Sequence, residues 1–395
     1  MNTIIKPAEE ESINAKPTNE ILAYEFYLRG QDLLRKSRYT KDSTDLKLAF
    51  SALNEAIKID PEFIEAIRYK AMTFTESGDY DSSLYYNKKA NILDPAHPNF
   101  AGIGVVYMYS GKSDSAFKYL QMAVDKNPYD PWANLALGQI YYIFRKDVIK
   151  SLFYMHKAYE LAGDSEAEIC NSLGWGYFYI GDYQKSLEFL RNALSLRQEC
   201  QLVIEYTQVL AAQRKFDEAI HFLDSVCKIT TCDRSCEIMK FYIYTAQNEL
   251  EKAEMYYNNA INSGYNRTED DIIYLAYLYK ETGREEEAFS LLNNSIQMNY
   301  NLLGGKIRSW DWIEIKSRLA AAHSVKGENE KALKYLSEVG NACVFGTPFY
   351  INYFPGFYKL QGYPEFRALV NRNKNEQDSL RAQVKKMELR EEIHL

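Results

Sequence analysis

Small side chains recur on a fixed beat along most of this chain, and that beat leaves few folds open. They stand at Ala49, Ser83, Ala116, Ser151, Ser186, Ala219, Ala253, Ala288 and Ala332, with successive spacings of 34, 33, 35, 35, 33, 34, 35 and 44. Seven residues beyond each comes a second register: Ala56, Ala90, Ala123, Ala158, Ala193, Val226, Ala260, Ser295 and Val339. About twelve residues upstream runs a third: Gly30, Ala71, Gly104, Gly138, Gly174, Thr207, Phe241, Ala276 and Ala320. Three registers in step over nine units mark an array of stacked supersecondary units rather than one closed domain.

Helix pairs explain the beat. Two antiparallel helices approach closely only where the facing side chains are small, and larger residues fill the space between. Tyr107, Tyr141, Tyr177, Tyr244 and Tyr279 fall three residues after the small residue of the first helix, one turn along the same face. Gly78, Gly111, Gly181, Gly283 and Gly327 lie between the helices, where a tight turn favours a left-handed residue. In the glycine-rich run LGWGYFYIGDYQKSLEFL (173–190), Gly174 is therefore a close-contact position and Gly181 a turn, while Gly176 has no assigned role. A phosphate-cradling loop is not implied.

The pattern resembles the tetratricopeptide repeat, whose 34-residue consensus carries tryptophan, leucine, glycine, tyrosine, alanine, phenylalanine, alanine and proline at set places. The resemblance covers residues 23–340. It implies an all-α fold: a right-handed superhelix, or α-solenoid, of about nine helix pairs with a C-terminal cap. The expected division is a disordered lead-in at 1–20, the solenoid at 21–341, and an aromatic-rich cap with a charged C-terminal helix at 342–395. The closing proline appears at Pro61, Pro95 and Pro128 and is then lost. Thr207 and Phe241 replace the small residue, so the sixth and seventh units are expected to pack less closely.

Two places break the period. The first unit has about seven extra residues around KSRYTKDST (36–44), and about ten precede the ninth unit within NLLGGKIRSWDW (301–312). Insertions in arrays are expected as loops, either functional or sealing a seam. After Val339 nine aromatics crowd between Phe345 and Phe366, which are expected to fold onto the last helix pair as a cap, since terminal repeats need one. Pro364 then starts a helix in which Leu380, Val384 and Met387 are too few for a coiled coil, so a solvated helix is expected. KPTNEILAYEFYLRG (16–30) and FPGFYKLQGYPEFRALV (354–370) also resemble the two ends of the repeat region in bacterial multidomain regulators, where repeats follow a cyclase, kinase or winged-helix module. That resemblance implies a sensory or regulatory arm whose output module is absent from this chain.

Composition removes several function classes. A net charge of −7 opposes a role in neutralising phosphate backbones, so no direct nucleic-acid partner is expected. No apolar run approaches the ~20 residues of a spanning helix, and residues 1–20 hold no secretory signal, so no membrane partner is expected. The expected compartment is cytoplasmic, or periplasmic if a membrane-spanning part lies upstream. His97, His156, His221, His323 and His394 are scattered over different units, and no nucleophile, base and acid form a local signature. The chain is read as non-catalytic, with no cofactor and no metal. CKITTCDRSC (227–236) holds Cys227, Cys232 and Cys236, whose spacing does not match a zinc knuckle. Free thiols are the favoured reading, with a local disulfide or a metal left open.

What remains is the curved inner face, lined chiefly by first helices. Counting along each unit places Trp132, Tyr142, Trp175, Phe178, Tyr242 and Tyr277 there. With 33 tyrosines against 19 phenylalanines, the hydroxyl is in surplus over what buried packing requires. Tyr and Trp also suit interfaces, having an apolar face and a polar tip. The six are expected to hold a protein or peptide segment; the plain alternative is that they fill space between neighbouring first helices. The family's clamp for a chaperone's carboxylate tail is absent from units two to four, which offer Arg68, Met72, Gly102, Trp132 and Ala136 at its positions.

Overall fold

The computed structural model describes residues 18–40, 43–227, 232–305, 311–340, 353–390 and 392–393. Among these residues the chain is a succession of nine helix pairs followed by one long helix. The pairs are α1 (Ile21–Thr40) with α2 (Ser43–Ile59), α3 (Ile64–Ser77) with α4 (Tyr80–Leu93), and α5 (Phe100–Tyr109) with α6 (Ser113–Lys126). Next come α7 (Pro131–Ile140) with α8 (Val148–Ala162), α9 (Ala167–Tyr179) with α10 (Tyr183–Leu196), and α11 (Cys200–Ala212) with α12 (Phe216–Val226). The last are α13 (Asp233–Ala246) with α14 (Leu250–Asn262), α15 (Glu269–Glu281) with α16 (Glu285–Leu303), and α17 (Asp311–Lys326) with α18 (Asn329–Gly340). The long helix α19 spans Pro364–Leu389. The expected α-solenoid is what the chain forms. Contacts divide it into two compact units, Met1–Pro128 and Tyr129–Leu395.

The beat of small residues is the packing code. All nine of the set beginning at Ala49 lie at 0–1% exposure. A Cβ on Gly174 would come within 2.7 Å of Leu190 Cγ, so a side chain there would separate α9 from α10. Gly176 gains a role that periodicity did not assign: a Cβ there would meet Leu152 Cδ2 of the preceding pair at 2.6 Å. Gly181 turns between helices at φ 75°, and where that turn lacks glycine the chain places Lys146, Arg214 and Asn248 in the same left-handed region.

The described parts of the irregularities are mostly helical. The first unit's insertion lengthens α1 and α2 to 20 and 17 residues; residues 41–42 lie outside the described part. Part of the insertion before the ninth unit extends α16 to 19 residues, and 306–310 lie outside the described part. In the fourth unit Gly138 and Ser151 are thirteen residues apart where most units have twelve. The extra residue is taken up by a π-helical turn at Tyr141–Arg145 closing α7. Phe241, in a small-residue register, is fully buried, with Tyr257 5.0 Å away.

In the compact unit Met1–Pro128, Leu34, Leu53, Phe63 and Ile67 are fully buried. In the second, the core continues into the C-terminal segment. Tyr353, Phe354, Phe357 and Leu360 are all at 0–1% exposure. Phe354 packs 4.8 Å from Tyr274 and 6.1 Å from Tyr277, both on α15. Ser324 donates to the Gly356 carbonyl at 2.7 Å, and Arg214 donates to the Tyr358 hydroxyl at 3.0 Å. The aromatic segment therefore reaches beyond the last pair; its members Phe345, Phe349 and Tyr350 lie outside the described residues. Nor is α19 merely solvated. Gln377 and Arg381 donate to the Tyr179 and Ile180 carbonyls at 3.0 and 2.7 Å, and Lys185 pairs with Glu388. Val384 and Met387 are buried in a cluster with Tyr177 and Phe189. Leu380, Val384 and Met387, spaced four and then three apart, form the seam by which α19 docks on the fourth and fifth pairs. Of the expected lead-in, residues 1–17 lie outside the described part.

Candidate protein-binding groove

The groove residues all belong to the second unit, on or just beyond its first helices. Trp132 follows Pro131 at the start of α7, where Asp130 caps the helix by accepting from the Trp132 and Ala133 amides at 2.9 and 3.1 Å. That cap fixes the backbone and leaves the indole 44% exposed. Trp175, mid-way along α9, is half-buried and meets Phe178 edge-on at 5.3 Å.

The other four are buried packing residues. Tyr142 lies edge-on to Tyr179 at 5.3 Å, and Phe178 is only 4% exposed. Tyr242 donates its hydroxyl to Asp271, and burial together with that carboxylate pushes its pKa well above the phenol range. Tyr277 is covered by Phe354, and burial raises its hydroxyl to about 12. The expectation that all six face outward meets burial at four of them, with Trp132 exposed and Trp175 half-buried. The physical reason is internal supply: the polar tip of Tyr242 has a partner within the fold, and the face of Tyr277 has the chain's own C-terminal segment.

Sequence reasoning missed a polar group beside Trp175. Glu205 of α11 is 5% exposed and accepts from Gln201 at 2.9 Å through Oε1. Trp175 and Asn171 of α9 also hydrogen-bond to this carboxyl. Burial, the largest influence, raises the Glu205 carboxyl above its ordinary value, while Gln201, Trp175 and Asn171 partly oppose the rise. The available signal was a lone acid in the apolar run LVIEYTQVL (202–210).

The cysteines correct the free-thiol reading. Cys200 is bonded to Cys232 and Cys227 to Cys236, with Cα–Cα distances of 5.2 and 6.4 Å. Linear spacing hid this because Cys200 lies 32 residues from its partner, brought close only where the starts of α11 and α13 and the end of α12 converge. Among the described residues Cys170 is the free thiol, its pKa raised to about 11 by burial. No cluster of three or more His, Cys, Asp or Glu there could hold a metal ion. No described helix is long and apolar enough to cross a membrane.

The sequence model of the tetratricopeptide repeat matches residues 167–199, which span α9 and α10. Anaphase-promoting complex subunit 3 of Schizosaccharomyces pombe is 30% identical over 114 residues, 29% of this chain and 17% of that protein. A TPR repeat-containing protein of Methanocaldococcus jannaschii is 24% identical over 287 residues, 66% of this chain and 47% of that protein. The chain spans less than half the length of these curated relatives. Among solved structures, a chain in the crystal structure of the APC/C hetero-tetramer Cut9–Hcn1 superposes with a TM-score of 0.55 at 16% identity, covering 76% of this chain and 56% of that one. The regulator resemblance gains no support from these relatives.

Proposed function

Because this chain is a tetratricopeptide-repeat protein, we propose that it is a non-catalytic scaffold that holds a segment of another protein against the first helices of its fourth and fifth pairs. The observation that carries the reading is that Trp132 is exposed and Trp175 only half-buried while the neighbouring aromatics on that face are packed. Large, rigid aromatic side chains with part of their surface in solvent are the usual anchors of a protein interface. The relative named as a subunit of the anaphase-promoting complex supports a protein partner for this chain. The two disulfides favour an oxidising compartment over the cytoplasm.

A photo-crosslinking side chain at Trp132 or Trp175 tests this in the native host. Crosslinking to one discrete partner is expected from these positions and not from the exposed Glu188 on α10. Trp132→Ala with Trp175→Ala should abolish capture of that partner by the unmodified chain while helicity and melting hold. Equal crosslinking from Glu188 would remove the groove from consideration.

A further inference from the structure

We propose that Tyr300 is a nucleophilic side chain, with His323 as its base and Glu328 orienting that base, which accepts an acyl group from an activated acyl donor. The site lies on the eighth and ninth pairs and does not depend on the groove reading. Four groups stand in a line. The Tyr335 hydroxyl donates to the Tyr300 oxygen at 3.2 Å, the Tyr300 hydroxyl lies 3.0 Å from His323 Nε2, and His323 Nδ1 lies 2.8 Å from Glu328 Oε2. A hydroxyl within hydrogen-bond reach of a base that a third group orients is the arrangement of an activated nucleophile. Its parts are held in place: His323 is 2% exposed and stacks on the Tyr335 ring, whereas Tyr300 is 38% exposed and open to a donor. The insertion before the ninth unit supplies the nucleophile, since α16 runs to 19 residues where α10 has 14 and Tyr300 stands in the extra length.

The direction of the line follows from its far end. Glu328, an ionised carboxylate, only accepts, so Nδ1 carries the imidazole proton. Burial keeps His323 neutral, and Nε2 is left bare to accept from Tyr300. As the Tyr300 oxygen bonds to the acyl carbon, its proton passes to Nε2 and the imidazolium faces Glu328. The bond from the acyl carbon to its leaving oxygen or sulfur then breaks, and the leaving group takes the electron pair and the proton from His323. Lys331 and Lys326 both pair with Glu328, so these cations are committed, which favours an acyl donor over a polyanionic phosphoryl donor.

The probe is p-nitrophenyl acetate, added to the full chain at neutral pH, with acetylated sites followed over time by tryptic mass spectrometry. Cleavage after Arg284 and Lys306 gives a peptide whose only tyrosine is Tyr300. Tyr300 should be acetylated about a hundredfold faster than Tyr85, which is 62% exposed, because a positioned base contributes that much. His323→Gln should bring the Tyr300 rate down to that of Tyr85. Glu328→Gln should slow it about tenfold or more and carries the test should the His323 variant fold poorly, as circular dichroism of each sample shows. In heavy water the wild-type reaction should slow, because a proton moves in the rate-setting step, and the His323→Gln reaction should not; a purely structural hydrogen bond would give no such difference. A Tyr300 rate equal to that of Tyr85, or one that neither His323→Gln nor Glu328→Gln changes, overturns the proposal and leaves the scaffold reading untouched.

Discussion

Phe354→Ala probes whether the C-terminal segment is an integral part of the second unit. The ring is fully buried and has three aromatic neighbours: Tyr274 at 4.8 Å, Phe357 at 5.2 Å and Tyr277 at 6.1 Å. Truncating a buried phenylalanine costs about 3–5 kcal/mol through lost transfer energy and the cavity left behind. Each aromatic pair adds roughly 0.5–1.5 kcal/mol beyond area, which places this site near the upper end, at about 4–5 kcal/mol. For a folding unit of this size each kcal/mol lowers the melting temperature by about 2–4 °C, so the expected loss is roughly 8–20 °C. Thermal melting followed by circular dichroism measures it, and limited trypsin digestion at Arg367 and Arg381 reports whether the segment has come away. Tyr358→Phe is the matched control. It removes only a hydroxyl that accepts from Arg214 at 3.0 Å and donates at a long 3.3 or 3.4 Å to the Tyr353 or Ala246 carbonyl, so the loss should stay within about 1 kcal/mol. A Phe354→Ala protein that melts within about 2 °C of wild type, with trypsin resistance intact, would refute the claim that this segment completes the core.

Three further outcomes follow from the same structure. Gly174→Ala should destabilise by about 1–3 kcal/mol in urea melts, because its Cβ meets the branch point of Leu190 and not a flexible tip. Reduction should lower the melting temperature, since the chain-entropy estimate for loops of 32 and 9 residues is roughly 3–4 and 2–3 kcal/mol; alkylation mass spectrometry without reductant should find all four cysteines blocked. On the ninth pair, Lys331, Lys326 and His323 hold the Glu328 carboxyl down to about 2 from 4.5, and burial lowers His323 below 6.5. Both folded-state values lie below the unfolded ones, so their stabilisation is complete above pH 6.5 and lost as pH falls toward 2. Glu328→Gln should flatten the acid limb of the pH–melting curve below about pH 4.5.

The groove was only partly legible. Register counting put Trp132 and Trp175 on first helices, where one is exposed and the other half-buried. It could not tell them from Tyr242 or Tyr277, because exposure at a lining position depends on what crosses it. Asp271 lies 29 residues from Tyr242, and Phe354 lies 77 from Tyr277. Glu205 was passed over for a similar reason, since one acid among many has no meaning until its neighbours in space are known.

Local periodicity was enough to determine the helix pairs, their order and the turn glycines, because each contact behind them joins residues within one repeat or its neighbour. Ala49, Gly174 and Gly181 act on partners close along the chain, and such constraints leave a visible period. The docking of α19 on the fourth and fifth pairs, the Cys200–Cys232 bond and the covering of Tyr277 join residues from tens to some two hundred positions apart. No period encodes contacts of that kind. They exist only once stacked helices bring distant apolar faces and thiols within reach, where burial of those faces from water decides which side chains remain for a partner.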